Sequence, residues 1–189
     1  IIKRNKLILN NYSCSICSST SKKIGDIDDY KIIRCKNCLL EEVFNKPKGN
    51  FLSDLYAERQ IRIWKDLDFE SYFHDFNCSD NNPKRDQFCS AVNIALKRSN
   101  KSYIKILEIG CGKAPLVNWS NKNGHKAIGV ESSELISKFL SLNCNLDIRY
   151  IPNNDYSQIT ENDFDLIYLE HSLEHHSDLL LTLKTLNRR

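Results

Sequence analysis

The sequence predicts an α/β protein: a mostly parallel sheet with helices on both faces, preceded by a small cysteine-held module. Three observations predict it. Two Cys-x-x-Cys pairs, Cys14 with Cys17 and Cys35 with Cys38, lie near the N-terminus. An apolar run, Ile104-Lys-Ile-Leu-Glu108-Ile109, leads straight into a glycine turn, Gly110-Cys111-Gly112. Beyond it, strand-length apolar runs alternate with helix-length segments, the pattern of right-handed crossovers in a parallel sheet.

In the first module, seventeen residues separate the cysteine pairs, which fits a four-thiolate zinc site of ribbon type. Each pair forms a knuckle whose sulfurs converge, so Cys14, Cys17, Cys35 and Cys38 are the expected metal ligands. Four thiolates close the shell, which makes the zinc structural, and its binding would supply much of the folding energy of a module this small. A redox Cys-x-x-Cys calls for one motif beside a βαβ unit. Disulfides call for an oxidising compartment, to which nothing else points. Tyr30-Lys-Ile-Ile-Arg34 reads as a strand into the second knuckle and Leu39 to Phe44 as a strand out of it. Asn45-Lys-Pro-Lys-Gly49-Asn50 breaks the pattern, so the ribbon occupies 1–50. Of the remaining cysteines, Cys78, Cys89 and Cys144 read as ordinary thiols. Cys111 sits in a turn that needs a small residue.

Residues 51–100 read as an aromatic-rich helical connector. Phe51, Tyr56, Trp64, Phe69, Tyr72, Phe73 and Phe76 crowd its first part, either packing the linker or, through Tyr56 or Tyr72, forming a lid that excludes water. Asp80 or Asn82 caps a helix opened by Pro83. Phe88, Val92 and Leu96 give that helix, over about 84–98, one apolar face.

Residues 101–189 carry the alternation. Strands are expected at about 104–109, 126–131, 147–151 and 165–169. Helices are expected at about 115–123, stopped by Asn123-Gly124, from Ser132 to about Leu142, and from about Asp178 onward. Pro152-Asn-Asn-Asp155 reads as a loop. Ligands of such sheets bind at the carboxyl ends of the strands, where Gly110, Glu131, Asn154 and Glu170 all fall.

A strand, a Gly-x-Gly turn, a helix and a second strand tipped by an acid form a nucleoside-binding half-site. The glycines allow close backbone approach, and Glu131 accepts from two ribose hydroxyls. A dinucleotide site would place its third glycine at Pro115, where proline cannot serve. The pattern Glu108-x-Gly110-x-Gly112-x-Ala114 instead resembles motif I of the class I S-adenosylmethionine-dependent methyltransferases. Glu131 resembles their ribose-binding acid, and Phe164-Asp165 through Glu170-His171-Ser-Leu-Glu174-His175 resembles their fourth strand and the segment after it. Ala114 departs from the pattern, standing where many members have a third glycine. The resemblance covers about 101–189 and implies a Rossmann-like sheet, here incomplete, since the family has seven strands.

That resemblance assigns roles by position. Glu108 orients the turn or reaches the methionine portion through water. Gly110, Cys111 and Gly112 let the backbone pass beneath the methionyl and ribose groups. Ser132 flanks the adenine, and either Asn154 or Asp155 meets its amino group. Glu170 and His171 line the methyl-transfer edge. Glu174 with His175 forms an orienting carboxylate and a base, or else simply opens the next helix. His176 is expected to face solvent.

The ribbon, the Asn-x-Pro turn and the aromatic linker resemble a subgroup of bacterial methyltransferases that act on small molecules. Their acceptors include sugars of surface polysaccharides and nucleotide-linked sugars. Two other readings stay open: a nucleic-acid methyltransferase whose ribbon holds RNA, and a non-catalytic zinc-ribbon interaction protein. Residues 1–50 hold ten Lys or Arg against five Asp or Glu, a charge of +5, while the other two parts are each −1. Four thiolates and Zn²⁺ together reduce the module to about +3, a weak signature for RNA. The 41% hydrophobic and 27% charged residues are ordinary for a globular protein, and no run approaches a membrane span. A cytoplasmic protein without a membrane partner is expected. The chain has no methionine, even at position 1, and stops at Asn187-Arg-Arg189. It is therefore expected to lack both its start and its end.

Overall fold

A computed structural model describes residues 12–46, 85–176 and 178–189. The lid aromatics, Cys78 and the cap around Pro83 lie outside the described residues. The described residues fall into two compact units.

The first unit is an antiparallel sheet of β1 (Tyr12–Ser13), β2 (Thr20–Ile27), β3 (Tyr30–Cys35) and β4 (Glu41–Val43), paired in that order. Its longest strand, β2, has no counterpart among the expected strands. Thr20-Ser-Lys-Lys-Ile-Gly-Asp-Ile27 carries little apolar alternation, and a bulge between Lys23 and Gly25 interrupts its register with β3. The two-residue turn Asp28-Asp29 joins β2 to β3, with Asp28 at φ 50°. The interior is small: Tyr12, Cys14, Ile33 and Cys35 are buried. The Phe44 ring meets Tyr12 nearly edge-on at 4.6 Å, 76° between planes. Ser21 is the one polar neighbour buried with them among the described residues. So thin a core needs a further staple.

In the second unit β5 (Lys105–Ile109), β6 (Lys126–Glu131), β7 (Ile148–Tyr150) and β8 (Leu166–Leu169) form a parallel sheet in the order β7-β6-β5-β8. Its helices are α1 (Arg85–Ser99), α2 (Pro115–Lys122), α3 (Glu134–Asn143) and, from Leu181 onward, α4 (Leu179–Leu186). Alternate strand residues feed two cores. Ile106 and Ala127 join Phe88 and Val92 of α1, Leu116 and Val117 of α2, and Ile136 and Leu140 of α3. Leu107, Ile109, Ile128 and Val130 join Ile151, Tyr156, Ile159 and Leu186 of α4. Because successive strand side chains point to opposite faces, the two cores lie on opposite faces of the sheet. The expected fold class is therefore observed, with helices on both faces. Strand order reverses at β5, between β6 and β8, and the carboxyl ends there open a crevice. Asp165 pins the start of β8 by accepting from the Lys105 N–H at 2.9 Å and from Lys101 Nζ.

Candidate functional site

The glycine turn is tied to β6, which fixes how it can be used. Gly110 and Cys111 both donate their N–H groups to the Val130 carbonyl, at 2.8 and 3.0 Å. Gly112 donates to Glu131 Oε2 at 3.0 Å. All three N–H groups are thus engaged by β6, so the glycines offer a ligand close approach without offering it donors. Gly110 sits at φ 69°, and a Cβ there would come within 2.7 Å of Ser172 Cβ. The Cys111 side chain turns into the core instead: a Cβ on Gly129 would lie 2.8 Å from its Sγ. Burial foremost, then the charges of Glu108 and Glu131, pushes the Cys111 thiol well above its ordinary pKa. Ala114, at φ 52°, caps α2 in the left-handed region that favours glycine, which gives a physical meaning to its departure from the expected pattern.

Glu131 ends β6 with 6% of its surface exposed. Its Oε1 accepts from the Ser133 N–H at 2.9 Å and from the Ser132 hydroxyl at 3.3 Å. Each oxygen thus takes one backbone N–H. A carboxylate has about four acceptor sites, so about one per oxygen remains once the Ser132 hydroxyl rotates away. Glu108, beneath the turn, is also buried. Ser133 caps α3 by accepting from Ile136 N at 3.4 Å.

A cavity of about 180 Å³ opens beside this carboxylate. Gly110, Glu131, Ser132, Asn154, His171 and His175 line it, together with Ile109, Val130, Ile151, Tyr156, Ser172 and His176. Of the two candidates after β7, only Asn154 lines it. Asp155 is exposed, its carboxylate taken by Ser157 Oγ at 2.5 Å and Gln158 Nε2 at 3.1 Å. Asn153 and Asn154 both take positive φ, 56° and 58°, which asparagine tolerates and which turns the chain back toward the sheet end. Glu170 lies outside the lining and accepts from the Tyr168 hydroxyl at 3.2 Å. Burial, then the Glu170 charge, raises that hydroxyl to about 12. The Glu174 carboxylate lies 3.7 Å from His171 Nδ1, an exposed pair, so the acid expected to orient His175 stands beside His171.

His176 corrects an expectation. It is 4% exposed, and not solvent-facing. Its Nδ1 lies 2.9 Å from the Ser172 carbonyl and 3.3 Å from that of Leu173, and its Nε2 lies 2.5 Å from the Tyr156 hydroxyl. The short 3-10 turn Leu173–His175 swings it inward. Neither Tyr156 nor Ser172 carries a signal in one sequence, because Tyr156 meets His176 twenty residues on and Ser172 faces Gly110, a contact between distant parts of the chain.

In the first unit Cys14, Cys17, Cys35 and Cys38 bring their sulfurs within 4.8 Å of one another. Neighbouring Sγ distances are 3.5 to 3.6 Å. A tetrahedron with Zn–S bonds of about 2.3 Å has edges of about 3.8 Å, so the donor set fits zinc. The Asn37 and Cys38 N–H groups donate to Cys35 Sγ at 3.3 and 3.4 Å, as in a metal-binding knuckle. Hydrogen bonds to Ser19 foremost lower the Cys17 thiol to about 5. At Cys38 the Leu40 N–H pulls down, but desolvation and its sulfur neighbours outweigh it and raise the thiol to about 12. A divalent cation would remove that mutual repulsion.

Against this geometry, residues 82–189 match a protein family described as a methyltransferase domain, and the chain belongs to that family. The match includes α1, which the sequence reading assigned to the connector. No curated protein matches the chain. Among solved structures it is similar to a TehB-like SAM-dependent methyltransferase from Corynebacterium glutamicum, at 19% identity over 74% of this chain and 67% of that one, TM-score 0.43. It is also similar to the plantazolicin methyltransferase BpumL in complex with a pentazolic desmethylPZN analogue and SAH, at 15% identity, covering 74% and 56%, TM-score 0.47. A third is a SAM-dependent methyltransferase from Geobacter sulfurreducens in complex with S-adenosyl-L-homocysteine, at 15% identity, covering 57% and 43%, TM-score 0.39. The chain thus spans 43% to 67% of the length of these proteins. Among the described residues, no helix is long and apolar enough to cross a membrane.

Proposed function

We propose that the chain is the cofactor-binding part of an S-adenosylmethionine-dependent methyltransferase acting on a small-molecule acceptor, a sugar or nucleotide-linked sugar. The observation that carries this is the Glu131 carboxylate beside the glycine turn, with about one acceptor site per oxygen to spare, in a cavity that Asn154 also lines. Glu131 would hold the ribose hydroxyls, Ser132 would flank the adenine, and Asn154, in preference to Asp155, would meet its amino group. Gly110, Cys111 and Gly112 would let the methionyl end pass over the backbone, with Glu108 supporting the turn and Glu170 behind the edge. The bound sulfonium supplies an activated methyl for in-line displacement, and the protein's task is alignment and water exclusion.

His171 and His175 line the cavity and are the candidate proton acceptors for a hydroxyl acceptor, with Glu174 beside His171. Cys14, Cys17, Cys35 and Cys38 would hold a structural zinc in a ribbon over 1–50. The connector would occupy 51–100, and the start of the methyltransferase domain 101–189. The sugar acceptor rests on analogy with ribbon-bearing small-molecule methyltransferases. A cytoplasmic location would keep the four thiols reduced for the zinc. The +5 charge of residues 1–50 favours one second reading, RNA as the acceptor.

The test is tritium transfer from methyl-labelled S-adenosylmethionine, using the full-length protein, to nucleotide sugars, to polysaccharide sugars and to RNA. Label in a sugar fraction is the expected result. Label in RNA alone would replace the acceptor assignment, and label in no acceptor, together with no cofactor binding, would leave the interaction-protein reading.

A further inference from the structure

The hydroxyl of Tyr156 stands between two acceptors and has one proton. Its oxygen lies 2.5 Å from His176 Nε2 and 3.0 Å from Asn154 Oδ1. On the far side of the imidazole, Nδ1 faces only carbonyl oxygens, those of Ser172 and Leu173, so Nδ1 carries a hydrogen. Two proton arrangements satisfy the row. In the first, His176 is an imidazolium: Nε2–H donates to Tyr156, whose own proton goes to Asn154 Oδ1. In the second, His176 is neutral: Tyr156 donates to Nε2, and Asn154 must turn its amide so that Nδ2–H donates to the Tyr156 oxygen. Turning the amide exchanges its oxygen and nitrogen in nearly the same space.

The surroundings favour the second arrangement. Both rings are buried, at 3% and 4% exposure, and a buried imidazolium is costly. Several charged or titratable groups bear on the pair. Glu174 favours the cation and His175 opposes it, both from the segment of His176. Burial, then the charge of Glu131 on β6, raises the Tyr156 hydroxyl well above its ordinary pKa, so the proton stays on that oxygen. Asp155 is occupied by Ser157 and Gln158. Arg189 donates to the Tyr156 carbonyl at 3.4 Å. Burial is the leading influence and pushes the His176 pKa below its ordinary value.

We propose that Tyr156 and His176 are positioning residues that set the amide of Asn154: the neutral pair leaves its carbonyl oxygen for the cavity, and protonation of His176 withdraws it. This inference rests on reading the cavity as an adenosyl site. A carbonyl oxygen accepts from the exocyclic amine of adenine. The reversed amide offers a donor instead and repels that amine. Adenine is therefore selected by a residue three bonds of the network away from the base, and cofactor affinity falls as the solution becomes acidic.

The experiment is calorimetric titration of the protein with S-adenosylhomocysteine and with S-inosylhomocysteine, which carries an oxygen in place of the amine, at pH 8 and at the lowest pH at which circular dichroism shows the protein still folded. Wild type is expected to prefer the adenine form by about tenfold at pH 8, the worth of one good polar contact, and to lose preference at the acid pH as His176 takes up a proton. Tyr156→Phe should lose the preference at both pH values. His171 and His175 also line the cavity, so any pH dependence that survives in Tyr156→Phe belongs to them. A Tyr156→Phe protein that keeps both the preference and the full pH step overturns the inference while leaving the adenosyl site standing. Absence of S-adenosylhomocysteine binding to wild type at either pH overturns the site itself and the inference with it. If Tyr156→Phe fails to fold, nitrogen-15 spectra of wild-type His176 decide the matter. A neutral ring protonated at Nδ1 at pH 8 is expected, and an imidazolium or an Nε2–H ring there would overturn the inference.

Discussion

Replacing Gly110 by alanine separates two reasons for a glycine in the turn. At φ 69° the new methyl pays the left-handed backbone cost, about 1–2 kcal/mol. It also lands 2.7 Å from Ser172 Cβ, closer than carbon atoms approach without displacement. Overpacking of that kind adds about 1–3 kcal/mol. Gly112 is the internal control. It has φ 53°, and nothing lies within 4 Å of its would-be Cβ, so Gly112→Ala bears the backbone cost alone. Both substitutions narrow the unfolded ensemble equally, and that effect cancels in the comparison. Gly110→Ala should therefore be less stable than Gly112→Ala by about 1–3 kcal/mol. The assay is urea unfolding followed by Trp119 fluorescence in a Trp64→Phe background, so that the signal reports the sheet unit. Equal destabilisation of the two variants, within about 0.5 kcal/mol, would refute the claim that Ser172 closes over the turn.

Three other outcomes are expected. His176 has a folded pKa below its unfolded value, so the unfolded chain binds more protons as pH drops below about 6.5. Stability of the sheet unit should then be full above that pH and decline below it. His176→Gln should flatten that part of the profile, and a wild-type profile flat from pH 7 to 5 would contradict it. A chelator, acting on the zinc proposed for the four cysteines, or Cys35→Ala should melt β1 to β4 while leaving the circular dichroism of the helical unit; retention of amide protection in Ile33 after chelation would rule the staple out. Asp165→Ala strands the Lys105 N–H at the start of β5 and should cost about 1–2 kcal/mol in the same urea assay; an unchanged midpoint would show that water replaces the carboxylate without loss.

Much of the second unit was legible because its signals are local. Apolar runs marked β5, β6 and β8 to within a residue or two, Asn123-Gly124 marked the end of α2, and the acid after Val130 marked the sheet end. The four cysteines were legible for the same reason, since spacing alone brings their sulfurs together. The first unit's β2 was not, because its strand residues face solvent and its order comes from pairing with β3, not from its own pattern. In the site, Glu131, Gly110 and Asn154 were readable from their places at strand ends. Which of Asn154 and Asp155 lines the cavity was not, because it turns on the backbone after β7 and on two hydrogen bonds that occupy Asp155. Neither was the inward turn of His176, which depends on carbonyls of a 3-10 turn and on Tyr156, twenty residues earlier. His171, His175 and His176 fall within six positions and all line the cavity, and only tertiary contact shows that His176 is the buried one.

The central claim is that Glu131 and the glycine turn hold the ribose of a sulfonium nucleoside. Its most direct test is calorimetric titration of S-adenosylhomocysteine into the protein and into Glu131→Ala, with folding of both checked by circular dichroism. The account predicts binding to the wild type and at least a tenfold weaker affinity for the variant, about the loss of one or two charge-assisted hydrogen bonds. Binding of equal strength to both proteins would contradict it.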